Sequence, residues 1–129
     1  MTDGLSTTNV ANAWLNTLRN NAAQFSAVYV QLHTISPGAS GTTGISVGGS
    51  TRLQATFSAP SGGELDLASA IGPWTNSGTT ETLTDISLWS AASGGTFLMS
   101  LPLTTSKPWA SGDTFTLNTL TLTLAPLAA

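Results

Sequence analysis

The chain holds a single histidine, His33, and no cysteine, so any chemistry must come from hydroxyls, carboxylates and aromatic rings. Serine nucleophiles need a base. His33 would have to meet a serine and an acid such as Asp66, Asp85 or Asp113, and the sequence has no Gly-x-Ser-x-Gly elbow to hold that serine on a strained turn. The missing cysteines remove disulfides, thiolate chemistry and Cys-based zinc sites together. Glu64 and Asp66 lie two apart on a predicted strand and share a face. That spacing suits paired-carboxylate acid-base work, or a solvated edge whose charges discourage stray pairing. Two carboxylates are too few oxygen ligands for calcium, and no EF-hand loop is present. Gly44-x-x-x-Gly48-Gly49 lacks the Lys-Ser/Thr of a phosphate loop, and neither Gly62-Gly63 nor Gly94-Gly95 opens a helix. The expectation is a protein that is not an enzyme, with no catalytic, metal-ligating or cofactor-binding residues.

Four tryptophans in a chain of 129 residues stand out against this. Trp14 falls on the apolar face of the one predicted helix. Trp74 and Trp109 each adjoin a proline in a predicted turn. Trp89 alternates with Leu88 and should point away from the inward set. Such rings fill cores, anchor subunit interfaces or stack on sugars. Trp14, Trp74, Trp89 and Trp109 are the candidate interface residues, joined by Pro37 and Ile45 from a glycine-rich stretch.

The elements that must position these residues follow from periodicity. Val10, Ala11, Trp14, Leu15 and Leu18 recur at three- and four-residue spacing, which predicts a helix over 6–20. Ser6, Thr7 or Thr8 can cap it, Asn20-Asn21 can end it, and its stripe packs on a sheet or docks on a neighbouring subunit. From residue 27 the period becomes two, with Val28, Val30 and Leu32 on one face and Tyr29, Gln31 and His33 on the other. Ser36-Pro37-Gly38 breaks that strand, and residues 36–50 read as a Gly/Ser/Thr-rich loop or arm. Further strands are expected over residues 51–58, 64–67, 81–90, 96–101 and 114–125, with a short or edge strand near Trp74. Ala91-Ala92-Ser93-Gly94-Gly95 joins two of them into a hairpin. In the last strand Phe115 and Leu117 occupy odd positions and Leu120, Leu122 and Leu124 even ones, which predicts a bulge or bend at Asn118-Thr119. Seven or eight short strands with regular turn signals predict a mainly β fold, one antiparallel β-sandwich domain over 1–129 with an N-terminal helix, or alternatively a β-barrel.

Composition bounds the partners. Only 7% of residues are charged, the formal net charge is −3, and the three cations Arg19, Arg52 and Lys107 cannot form a basic stripe. Nucleic acid and anionic membranes are therefore not expected partners. No apolar run reaches the roughly 18 residues of a membrane span, and the N-terminal residues lack the basic and apolar regions of a secretory signal, so export by a cleaved leader is not expected. About three residues in ten are Ser or Thr, so the polar surface is hydroxyl and backbone rather than ionic.

Several segments together resemble a known family: Ala27-Val28-Tyr29-Val30-Gln31-Leu32-His33-Thr34, Arg52-Leu53-Gln54-Ala55-Thr56-Phe57, Ile86-Ser87-Leu88-Trp89-Ser90-Ala91-Ala92-Ser93-Gly94-Gly95-Thr96-Phe97-Leu98, Leu103-Thr104-Thr105-Ser106-Lys107 and Ser111-Gly112-Asp113-Thr114. They are similar to small virion proteins of actinobacteriophages, described variously as minor capsid (decoration), minor tail or tail fibre proteins. The resemblance implies a virion structural protein made in the host bacterial cytoplasm and brings no catalytic residues. Compact size and the lack of repeats or a coiled-coil shaft favour a decoration protein on the outside of the icosahedral head. Its partners would then be the major capsid protein and, in a homo-oligomer, further copies of itself. The alternative is a minor tail or tail-fibre component that recognises the host surface, with tail proteins as partners and Trp74 or Trp109 stacking on glycan. Residues 37–50 would suit an arm that orders on a neighbour.

Overall fold

The computed structural model describes residues 3–19 and 25–125. Eight strands follow a short helical segment: β1 (Val28–His33), β2 (Leu53–Ala55), β3 (Glu64–Asp66), β4 (Ile71–Thr75), β5 (Glu81–Trp89), β6 (Phe97–Trp109), β7 (Thr114–Leu117) and β8 (Thr121–Thr123). β2-β1-β5-β6 form one antiparallel sheet, while β4 pairs with β7 and β3 with β8 in two-stranded ribbons. The two ribbons face the large sheet, and the described strands do not close into a barrel. This is the β-sandwich that the alternation predicts.

The core follows from that alternation. Val30 pairs with Leu88, and Leu32 with Ile86. Leu88 in turn pairs with Met99, and Ile86 with Leu101. Antiparallel partners share a face, so these side chains form one apolar layer. Across it the ribbons contribute Ile71, Trp74 and Leu117, with Leu120 from the segment between β7 and β8. The opposite face of the same strands is polar, since Gln31 pairs with Ser87 and His33 with Asp85. Both faces of β1 and β5 are covered, which is why residues 30–33 and 85–89 are all buried.

Of the bulge or bend expected at Asn118-Thr119, the structure shows a bend. The chain changes partner there: β7 lies on β4, and β8 lies on β3. Asn118 and Thr119 form the exposed crossing between ribbons, so Leu117 and Leu120 both point inward despite their odd and even positions.

Residues 36–50 pack against the body of the fold as a loop. Thr34 N–H donates to Gly44 O at 2.8 Å and Ser46 N–H to Leu32 O at 2.9 Å, and His33 bridges Ile45. The loop thus continues the edge of β1 beyond β2. Two glycines make this approach possible. Gly41, at φ 74°, lies so close to Phe97 that a Cβ would sit 2.3 Å from its ring, and a Cβ on Gly48 would sit 2.0 Å from the Asn76 side chain.

The helical segment is irregular: a π-turn over Thr7–Ala11, α1 over Asn12–Asn16 and a 3-10 turn over Thr17–Arg19. Ser6 caps it, its hydroxyl accepting from Asn9 N–H at 3.3 Å. The expected end at Asn20-Asn21 lies outside the described residues. Just before the helix, Ser6 N–H donates to Leu98 O and Ser100 N–H to Gly4 O, which covers the free edge of β6 over that stretch. Farther along, Leu83 pairs with Lys107 but Asp85 with Pro102, so residues 103–106 bulge outward opposite Thr84.

Candidate functional site

Of the groups singled out for chemistry, His33, Asp85 and Trp89 lie on the polar face of the large sheet. β1 places His33 there and β5 places Ser87 and Trp89. His33 Nε2 lies 2.7 Å from Ser87 Oγ, and its Nδ1 lies 2.7 Å from Thr43 O. A carbonyl only accepts, so Nδ1 carries the proton and Nε2 accepts the Ser87 hydroxyl. Ser87 Oγ accepts in turn from Trp89 Nε1 at 2.8 Å. This is the hydroxyl-imidazole pairing of a nucleophile and its base. The orienting partner is a backbone carbonyl rather than a carboxylate, however, and His33 and Ser87 are both fully buried. Burial lowers the pKa of His33 below 6.5 and the Arg52 charge adds to this, while the Thr43 carbonyl and the Asp3 charge oppose it. These bonds fix the loop to the sheet.

Around it the layer is fully wired. Arg52 Nε donates to Gln31 Oε1, and its terminal nitrogen donates to Ala91 O at 2.9 Å and Gly94 O at 2.7 Å. The guanidinium carbon sits 3.9 Å from the Trp89 ring centroid, a cation-π contact. Arg52 therefore clamps the β5–β6 turn from the neighbouring β2 side. Trp89 faces this polar layer, as its alternation with Leu88 predicts, yet it is buried beneath Arg52 and against Phe97. Asp85 and Asp3 meet at the edge of the layer. Burial raises the pKa of Asp85, and the nearby Asp3 carboxylate raises it further against the Thr84 hydroxyl. Asp3 keeps its proton off: burial opposes this, but hydrogen bonds from Ser36, Asp85 and Ser100 outweigh burial.

A second polar cluster sits on the other side of the loop. The Glu81 carboxylate accepts from the Ser46 hydroxyl, from Val47 N–H and Gly48 N–H at 3.2 Å, and from Trp109 Nε1 at 3.2 Å. Burial raises the pKa of Glu81, and these donors, led by Ser46, bring it below 4.5. Asn76, also buried, donates to Thr79 O and Trp109 O and accepts from Gly78 N–H. Sequence reading missed both Glu81 and Asn76. Their signal is only that each precedes or follows a glycine- or threonine-rich turn, and such turns are common in this chain.

The candidate interface residues separate into two sets. Trp74, Trp89, Trp109 and Pro37 are buried in the fold. Trp74 donates to Thr51 O at 2.8 Å and packs on Phe115. Trp74 and Trp109, which the tail alternative offered for stacking on glycan, are packed in the core. Trp14 and Ile45 remain partly exposed. Glu64 and Asp66 point to solvent, and Asp66 accepts the Thr121 hydroxyl across the ribbon. No cluster of metal-ligating side chains occurs among the described residues, and no described helix is long and apolar enough to cross a membrane.

What the surface does carry is apolar. A groove of about 480 Å³ opens between the helix, β3 and β8, walled by Trp14, Phe25, Phe57, Leu65, Leu122 and Leu124. Ile35, Ile45 and Val47 are exposed on and beside the 36–50 loop.

No curated protein matches the chain. Residues 4–125 match the family described as podophage GP4 fiber I protein gp80. The match speaks for a phage fibre protein and carries neither an actinobacterial host nor a place on the head. It spans the helix and all eight strands, so the chain belongs to the podophage GP4 fiber I protein (gp80) family and is a structural component of a phage virion.

Proposed function

We propose that the protein is a non-enzymatic subunit of the phage tail-fibre apparatus, contributing to contact with the host surface and held in place by other tail proteins. The observation that carries this reading is the family match over residues 4–125, which names a fibre. The internal wiring of the chain supports it. His33, Ser87, Arg52 and Glu81 are taken up in holding the loop and the hairpin to the sheet. What remains outside is a hydroxyl-rich, nearly uncharged surface suited to close packing against other proteins with little ion desolvation. Because Trp74 and Trp109 are internal, any host contact falls to the exposed loop residues and the hydroxyls.

The test is location and copy number. Immunogold labelling of purified particles should decorate the tail, and quantitative mass spectrometry should find the protein at a small fraction of the major capsid protein. A deletion phage should keep intact heads and lose adsorption. Label over the head shell, at abundance comparable with the major capsid protein, would overturn the reading in favour of head decoration.

A further inference from the structure

The helical segment is poorly served by its own fold. Its sequence stripe comprises Val10, Ala11, Trp14, Leu15 and Leu18, yet only Val10 is buried. Leu15 is 63% exposed and Leu18 84%. No residue of α1 is buried. Helices of this length are marginal in water unless a face is packed, and among the described residues nothing covers this one. Beside it lies the apolar groove, walled on its far side by Leu65, Leu122 and Leu124 and rimmed by Glu64.

We infer that a second copy of this chain supplies the cover, the helix of one copy lying in the groove of the next. Three observations select a second copy rather than an unrelated protein. The face carries both halves of the contact side by side: projecting leucines on the helix and a matching apolar recess next to it, as a self-complementary interface requires. The charges also match. Arg19 stands exposed at the end of the helix, where among the described residues its polar contact is Asn16 on its own turn. Glu64 stands exposed at the groove rim. No ion pair is formed among the described residues, so helix-in-groove packing brings an unpaired cation to an unpaired carboxylate. Finally, Leu5, Trp14, Leu15, Leu18 and Leu124 are exposed around the apolar groove walls, a small set of side chains against the roughly 800 Å² per partner of a standard stable interface. So small a set fits a reversible association that strengthens when copies are held together in a particle.

The inference does not depend on where in the virion the protein sits, so it stands or falls separately from the tail reading. Sedimentation velocity and light scattering on the full chain should show reversible self-association in the micromolar range. Leu18→Ser should weaken it about tenfold or more without changing the circular dichroism or the melting midpoint, since Leu18 touches little in the monomer. Arg19→Glu should weaken it by about tenfold, and adding Glu64→Arg in the same chain should restore it, because the pair is re-formed with its signs exchanged. A chain that stays monomeric throughout this range overturns the proposal. So does association that is insensitive to Leu18→Ser, and so does an Arg19→Glu defect that Glu64→Arg leaves unrepaired.

Discussion

Glu81→Gln is the most informative substitution outside the helix, because it keeps the shape of the side chain and changes only its charge and one acceptor. In the wild type Oε1 accepts from Ser46, Gly48 and Trp109, and Oε2 accepts from Val47. Glutamine leaves three neutral hydrogen bonds in place of charge-assisted ones and turns an amide donor toward the Val47 N–H. Hydrogen bonds to a charged group contribute about 1.5–3 kcal/mol and neutral ones about 0.5–1.5. Discounting for the half-exposed position of Glu81 and the 3.2 Å lengths of three of the bonds, the loss should be about 2–3 kcal/mol, which lowers the melting midpoint of a domain this size by about 10 °C. The pH dependence adds a second check. The folded state holds the Glu81 pKa below 4.5, so its stabilisation is complete above that value and is lost as pH falls through the folded value. Melts of wild type and Glu81→Gln, followed by tryptophan fluorescence, should differ fully at neutral pH and converge in acid. A double-mutant cycle with Ser46→Ala should show coupling of about 1 kcal/mol. Equal midpoints at neutral pH, or a gap that persists unchanged well below pH 4.5, would refute the assignment of Glu81 as the anchor of the loop.

Gly41→Ala should destabilise by more than about 3 kcal/mol, since the new methyl meets the Phe97 ring at 2.3 Å in a left-handed backbone. Gly62→Ala, at φ 60° with nothing within 4 Å, should cost only about 1 kcal/mol, and urea denaturation of the two variants compares them directly. Asn76→Ala strands the buried Trp109 carbonyl and the Gly78 amide, and should cost about 2–4 kcal/mol by the same measurement. Burial depresses the His33 pKa below 6.5, so its contribution is complete above 6.5 and declines as pH falls below it; nitrogen chemical shifts should show a neutral ring protonated on Nδ1 throughout the stable range.

Much of the fold could be read from alternation alone. β1, β5 and the start of β6 are long enough for period two to assign both their strands and their faces, and the tight Ala91-to-Gly95 turn made their hairpin legible. The last strand was not, because a phase slip looks the same whether one strand bulges or two strands join different ribbons; only the pairing of β7 with β4 and of β8 with β3 distinguishes them. The polar layer was half legible. His33 was visible as the lone histidine, and Ser87 sits on the same strand face as Asp85 and Trp89. That His33 would choose Ser87 and a backbone carbonyl depends on a strand register and on a loop whose path local sequence does not encode. The tryptophans were misleading for a related reason: proline neighbours suggest exposed turns, whereas Trp74 and Trp109 are drawn inward by N–H partners at Thr51 and Glu81.

The 36–50 loop divides its residues into two groups with different freedom to change. Its attachments run through Gly41, Ser46, Gly48 and the backbone groups at residues 43 and 44, turned toward His33, Thr34, Phe97, Asn76 and Glu81. Ala39, Ser40, Thr42, Ile45 and Val47 meet the outside, and none of their side chains holds the loop to the sheet. Those five positions can therefore vary while the anchors stay fixed. A pool of variants randomised there and sorted for folding would trace that boundary residue by residue.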